Sequence, residues 1–192
     1  MDQPLFNFGG GGEAAGHAHA HPRELVINVD GGARGNPGPA GYGAMVRDGA
    51  GNTVAELSEF IGIATNNVAE YRGLLAGLEY AREHRAQTVK VYSDSELIVK
   101  QIHGAYKVKS PDLKPLYDQV RRLISGFPKF SIHHVMRERN ADADRLANLA
   151  MDRGARGVLH DRRRRKIRKA LPQIVIVDLN APGINAVPDF GR

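Results

Sequence analysis

Four carboxylates sit at awkward places in this sequence. Asp30 closes the run Leu25-Val26-Ile27-Asn28-Val29, and Asp94 closes Val89-Lys90-Val91-Tyr92-Ser93, where another apolar residue would be the ordinary choice. Glu70 and Asp144 fall in what read as the first turns of two helices. Each has a plain structural reading. A first-turn acid complements the helix dipole by roughly 0.3–1 kcal/mol, and an Asp at a strand end can cap a turn. Their joint placement suggests more. Two adjacent strands that both end in Asp bring two carboxylates to one edge of a sheet. If the helical acids join them, like charges in apolar surroundings repel strongly, and bound cations are the natural relief. Ligation by oxygen alone favours Mg²⁺ or Mn²⁺ over zinc. Two such ions about 4 Å apart can activate a water and stabilise the leaving oxygen of a phosphodiester. Convergence of the four does not follow from sequence positions alone.

The elements that would position these residues follow from periodicity. Leu25–Asp30 reads as a strand, apolar on both faces and therefore central. Gly and Pro punctuate Gly31 to Gly41. A second strand is expected at Tyr42–Arg47, a turn at Gly49–Asn52 and a third strand at Thr53–Ile61. Such short connections favour an antiparallel meander. Tyr71, Leu74, Leu75 and Leu78 share one helical face, and Asn67 with Glu70 has capping-box spacing, which predicts a helix starting near Asn67. Next come a strand at Val89–Tyr92 and a helix at Ser95–Ile102, with Ser93 and Glu96 as a second candidate capping box. A helix at Asp112–Ile124, a strand at Phe130–Val135 and a last helix capped by Asn140 complete the series. The order βββαβααβα predicts an α/β fold with a five-stranded mixed sheet.

Composition divides the 192 residues into three parts. Residues 1–22 are rich in Gly, Ala and His and read as a disordered segment, with His17, His19 and His21 a weak candidate for transition-metal binding. Residues 23–152 form the expected catalytic domain, with 17 basic and 16 acidic side chains. Residues 153–192 form a basic extension with 10 basic and 3 acidic side chains, including the block Arg162–Lys166. The net charge of +6 therefore resides in the extension and says little about what the central domain binds. The absence of cysteine excludes disulfides, thiolate metal sites and thiol catalysis, and suits a cytoplasmic protein. No run approaches the roughly 20 apolar residues of a membrane span, and no secretory leader is expected.

Four segments resemble, in order, the motifs of type 1 ribonuclease H: VDGGARGNPGPAGYG (Val29–Gly43), TNNVAEYRGLLAGLEYA (Thr65–Ala81), VYSDSELIVKQ (Val91–Gln101) and RNADADRLANLA (Arg139–Ala150). The resemblance covers residues 24–152. It implies the ribonuclease H-like fold: a three-strand antiparallel meander plus two parallel strands, with helices on both faces. It also implies an endonuclease that hydrolyses the RNA strand of RNA–DNA hybrids and leaves 5′-phosphate and 3′-hydroxyl ends. On this resemblance Asp30, Glu70, Asp94 and Asp144 are the catalytic residues and the ligands of two Mg²⁺ ions, with Mn²⁺ as the alternative. Gly31, Gly32, Ala33, Arg34, Asn36, Thr65, Asn66, Asn67 and Ser95 match positions that contact nucleic acid. A protein can tell RNA from DNA at the 2′-hydroxyl in a wide, shallow minor groove, and the Gly31–Gly35 turn is expected to let backbone approach that groove.

Two features depart from many family members. The loop before the last helix is only Arg137-Glu138-Arg139-Asn140 and lacks the usual His, while His133 and His134 lie in the preceding strand and read as structural. Ser110-Pro111-Asp112 leads directly into the next helix, with no basic helical handle inserted. Compact, archaeal-like members share both features, and some also cut double-stranded RNA, which becomes a second expected substrate. The chain is expected to be a monomer. Its extension could bind nucleic acid through Arg162–Lys169, or a protein partner through Gln173–Val177. Two other readings stay open: a module of this fold that binds hybrids without cutting, and an integrase- or resolvase-like enzyme acting on DNA.

Overall fold

The computed structural model describes residues 24–154. The expected segment at 1–22 lies outside the described residues, as does the extension beyond Gly154. The elements run β1 (Glu24–Ala33), β2 (Gly38–Asp48), β3 (Thr53–Ala64), α1 (Asn66–Glu83), β4 (Thr88–Ser93), α2 (Glu96–Ile102), α3 (Lys114–Ser125) and β5 (Lys129–His134). A 3₁₀ turn at Arg137–Arg139 follows, and then α4 over residues 141–154.

The five strands form one sheet in the order β3-β2-β1-β4-β5. β1, β2 and β3 are the expected antiparallel meander, and β4 and β5 extend it in parallel. β1 is the middle strand, as its apolar run predicts. Leu25, Ile27 and Val29 point into the core, where they meet the α1 stripe of Tyr71, Leu74, Leu75 and Leu78 together with Val89, Val91, Ile98, Val120 and Ile132. Helices cover both faces. Successive β1 residues face opposite layers: a side chain at Gly31 would strike α1 at Glu70, and one at Gly32 would meet Met151 of α4. Among the described residues no helix is long and apolar enough to cross a membrane.

Several element limits differ from expectation, each for a local reason. α1 starts one residue before Asn67, because Thr65 is the cap: its backbone is extended and its hydroxyl accepts from the Val68 N–H at 3.4 Å. α3 starts at Lys114 rather than Asp112, since Pro115 needs no N–H partner only in a first turn and residues 111–113 form a separate turn. Ser93 does not cap α2; its hydroxyl instead accepts from the Ser95 N–H at 3.1 Å. No helix or strand lies between α2 and α3, so the segment expected to lack a helical handle has none.

Candidate active site

The parallel register of β1 with β4 sets Val29 opposite Ser93. Asp30 and Asp94 are the next residues of their chains, so the register brings them abreast. Asp30 does not end its strand, contrary to the sequence reading. Gly31, Gly32 and Ala33 continue the ladder opposite Tyr42, Gly41 and Ala40, and the expected Gly31–Gly35 turn shrinks to residues 34–37. The close approach that Gly31 permits is to α1. A Cβ there would lie 2.2 Å from the Glu70 backbone nitrogen and 2.3 Å from the Ala69 carbonyl carbon. Only glycine lets the helix settle on the strand at this point, and the contact delivers Glu70, in the second turn of α1, to the side of Asp30. One carboxylate oxygen from each of Asp30, Glu70 and Asp94 lies within 4.8 Å of the other two.

Asp30 and Glu70 are 8% and 6% exposed, so their charges are poorly solvated. Burial first, and then the charges of Asp94 and Asp144, push the Asp30 carboxyl from its ordinary 3.8 up to about 7. Burial, followed by the charges of Asp30 and Asp94, holds Glu70 well above the usual carboxylate range. The Gly31 N–H and the Arg137 guanidinium pull both groups the other way without restoring them. Oε2 of Glu70 is buried with no hydrogen-bond partner among the described residues. A buried carboxylate with an unpaired oxygen, beside two further acids, is costly on its own. A small hard cation between the three would satisfy it and remove the repulsion, so the residues present fit a divalent metal ion.

Asp144 stands outside this group of three. It lies in the first turn of α4 and ion-pairs with Arg137, while Asn148 donates to its other oxygen at 3.0 Å. It is close enough for its charge to raise Asp30. The seat of α4 depends on Gly43, where a Cβ would lie 2.3 Å from the Ala143 carbonyl oxygen and 2.6 Å from the Ala147 nitrogen.

A family model described as reverse transcriptase-like matches residues 28–150. Ribonuclease HI of Halobacterium salinarum is 42% identical over 140 residues, which cover 73% of this chain and 67% of that protein. This chain belongs to the type 1 ribonuclease H family. The bifunctional protein Rv2228c of Mycobacterium tuberculosis is 52% identical over 139 residues, so the match spans 72% of this chain and only 38% of that longer relative. The solved N-terminal RNase H domain of the same mycobacterial protein superposes with a TM-score of 0.68 at 51% identity, covering 70% of this chain and 98% of that one. LC11-RNase H1, solved in complex with an RNA/DNA hybrid, gives a TM-score of 0.65 at 44% identity and covers 68% of this chain and 99% of its own.

Within this ribonuclease H domain, the residues expected to contact nucleic acid fall at the end of β1, the turn after it and the start of α1, except Ser95, which precedes α2. The Asn66 amide accepts from the Ala33 N–H at 3.2 Å, and the Asn36 amide accepts from the Asn66 N–H at 3.2 Å. These reciprocal bonds fasten the β1–β2 turn to the helix. Asn36 and Asn66 are exposed and Thr65 and Asn67 half-buried, so tying the turn and facing solvent coexist. Arg34 ion-pairs with Asp152 of α4. Gly31 is buried beneath α1, Gly32 and Ala33 are half-buried, and Ser95 is half-buried beside Asp94.

Sequence reasoning missed three residues. Arg137 pairs with Asp144 and draws down both Asp30 and Glu70; nothing in its local sequence separates it from Arg139. Asn140 was expected to cap α4. Its carbonyl does accept from the Asp144 N–H, but its side chain is 1% exposed and turns inward to Val29 and Asp94. Asn28 interrupts an apolar strand, and that interruption was a readable signal: its amide meets Asn140 at 3.2 Å.

Proposed function

We propose that this domain is a metal-dependent endonuclease that hydrolyses the RNA strand of an RNA–DNA hybrid, leaving 5′-phosphate and 3′-hydroxyl ends. The observation that carries the reading is the convergence of buried Asp30 and Glu70 with half-buried Asp94, with an unpaired Glu70 oxygen, in a chain of this family. Asp30, Glu70 and Asp94 are the proposed ligands, with Asp144 beside them. Mg²⁺ is the proposed ion, two per site, and Mn²⁺ the alternative. Such ions, when bound, supply Lewis acidity toward the phosphodiester and lower the pKa of a water nucleophile.

The protein's own groups contribute the frame. The β1–β4 register fixes Asp30 and Asp94 side by side, and the contact of Gly31 with α1 fixes Glu70 against them. Arg137 holds Asp144 at the edge of the site. The exposed turn with Asn36, and the helix start with Thr65, Asn66 and Asn67, form a polar surface suited to a nucleic-acid backbone and to 2′-hydroxyl groups. The hybrid bound to LC11-RNase H1 supports this substrate class. The test compares a labelled hybrid, duplex RNA and duplex DNA, with Mg²⁺ and with chelator. The reading expects cleavage of the hybrid's RNA strand, dependent on metal, with duplex RNA at most a slower substrate. Cleavage of duplex DNA, or hybrid cleavage that survives chelation, would overturn it.

A further inference from the structure

A line of polar side chains runs from the surface to the acidic cluster. Arg47 of β2 ion-pairs with Asp142 of α4. Its Nη1 donates to Oδ1 of Asn28 at 3.2 Å, and Nδ2 of Asn28 donates to Oδ1 of Asn140 at 3.2 Å. Nδ2 of Asn140 then donates twice, to the Val29 carbonyl at 2.9 Å and to Oδ1 of Asp94 at 3.0 Å.

The direction of this chain is fixed at both ends. A guanidinium can only donate, and an ionised carboxylate or a carbonyl can only accept. The two amides between them could each face either way in isolation. With Arg47 donating, Asn28 must turn its oxygen outward and its NH₂ toward Asn140. That NH₂ holds the Asn140 oxygen, which leaves the Asn140 NH₂ for Asp94 and Val29. A flipped Asn140 would set its oxygen against a carboxylate and a carbonyl, with the Asn140 side chain itself 1% exposed. We propose that Arg47, Asn28 and Asn140 form a directional amide relay that positions Asp94 for metal binding. Val29 and Asp94 flank the junction of β1 and β4, and Asn140 leads into the helix that carries Asp144. The relay therefore ties three of the four acid-bearing segments to one buried amide. Asn140 and Asn28 are positioning residues, acting through Asp94.

This inference rests on the metal-site reading, and its test separates the two. Mn²⁺ binding to the full-length protein is measured by electron paramagnetic resonance without nucleic acid, and thermal unfolding is followed in parallel. Asn28→Leu keeps the branched outline of a half-buried side chain and removes the donor to Asn140. Arg47→Met removes the anchor at the far end. Partners that orient a ligand typically account for 10–100-fold in metal affinity, so Asn28→Leu should weaken Mn²⁺ binding by about 10-fold. Arg47→Met should weaken it by about 3-fold, and Asn140→Ala by about 100-fold where that variant folds. Asn28→Leu leaves the buried Asn140 oxygen unpaired, a cost of about 1–3 kcal/mol. In chelator it should therefore melt several degrees or more below the wild type while still unfolding in one cooperative transition, and Mn²⁺ binding is compared at a temperature where both proteins are folded. Mn²⁺ affinity of Asn28→Leu within 2-fold of the wild type would overturn the relay and leave the metal site standing. A wild-type protein that binds no Mn²⁺ would overturn the metal site itself, and the relay with it.

Discussion

Replacing Asp30 with Asn should stabilise the metal-free protein, and the size of the gain follows from the crowding of charge. Burial and the neighbouring acids raise Asp30 from 3.8 to about 7. The folded state thus holds this proton more tightly than the unfolded chain. Stability from this group is fully present below about pH 4, falls as pH rises through about 7, and stays low above that. Three pH units at 1.36 kcal/mol each give a penalty on the order of 4 kcal/mol. Asp30→Asn keeps an acceptor for the Gly31 N–H and deletes the charge, which also relieves Glu70. In chelator at pH 8, urea denaturation should show Asp30→Asn more stable than the wild type by roughly 2–4 kcal/mol, and the gap should close near pH 4. Adding Mg²⁺ at 100 times its Kd should return about 2.7 kcal/mol to the wild type and little to the variant. Equal stability of the two proteins at both pH values, or a less stable variant at pH 8, would refute the claim that the acids repel one another in an apolar site.

Gly31→Ala should destabilise the fold by about 1–3 kcal/mol and lower hybrid cleavage by about 100-fold, because the new methyl would displace α1 at Glu70; melting and single-turnover assays read the two effects. Thr65→Ala should cost about 1 kcal/mol in urea denaturation as a lost helix cap, whereas Asn67→Ala should stay within about 0.5 kcal/mol. Deleting residues 155–192 should leave the domain folded and reduce the steepness with which hybrid affinity falls with salt, as measured by fluorescence anisotropy from low to high salt. A cut before Gly154 would also remove its packing on Phe60, where a Cβ would come within 2.0 Å of the ring.

The parts legible in the sequence are those set by local pattern. Period-two and period-3.6 runs of apolar residues, broken by Gly and Pro, give the element order and the meander. The ordered motifs single out Asp30, Glu70, Asp94 and Asp144, of which the structure gathers the first three into one cluster. The parts not legible depend on contacts between distant segments. That Asp30 stands beside Asp94 is a consequence of register, with Val29 opposite Ser93. That Gly31 serves α1 rather than a turn depends on how closely a helix lies on a strand it does not adjoin in sequence. Asn140 looks like a helix cap locally, and its inward role needs Asn28, 112 residues away. The pairing of Asp144 with Arg137, seven residues earlier, needs the 3₁₀ turn that brings the two together, and charge pattern alone does not reveal such a turn.

The most direct test of the central claim is cleavage of an RNA–DNA hybrid, labelled on each strand in turn, by the wild type and by Asp94→Asn in Mg²⁺. The wild type should cut the RNA strand alone, leaving 5′-phosphate ends, and Asp94→Asn should bind the hybrid and fail to cut it. Cutting by Asp94→Asn at the wild-type rate would contradict the assignment of the acidic cluster as the centre of the reaction.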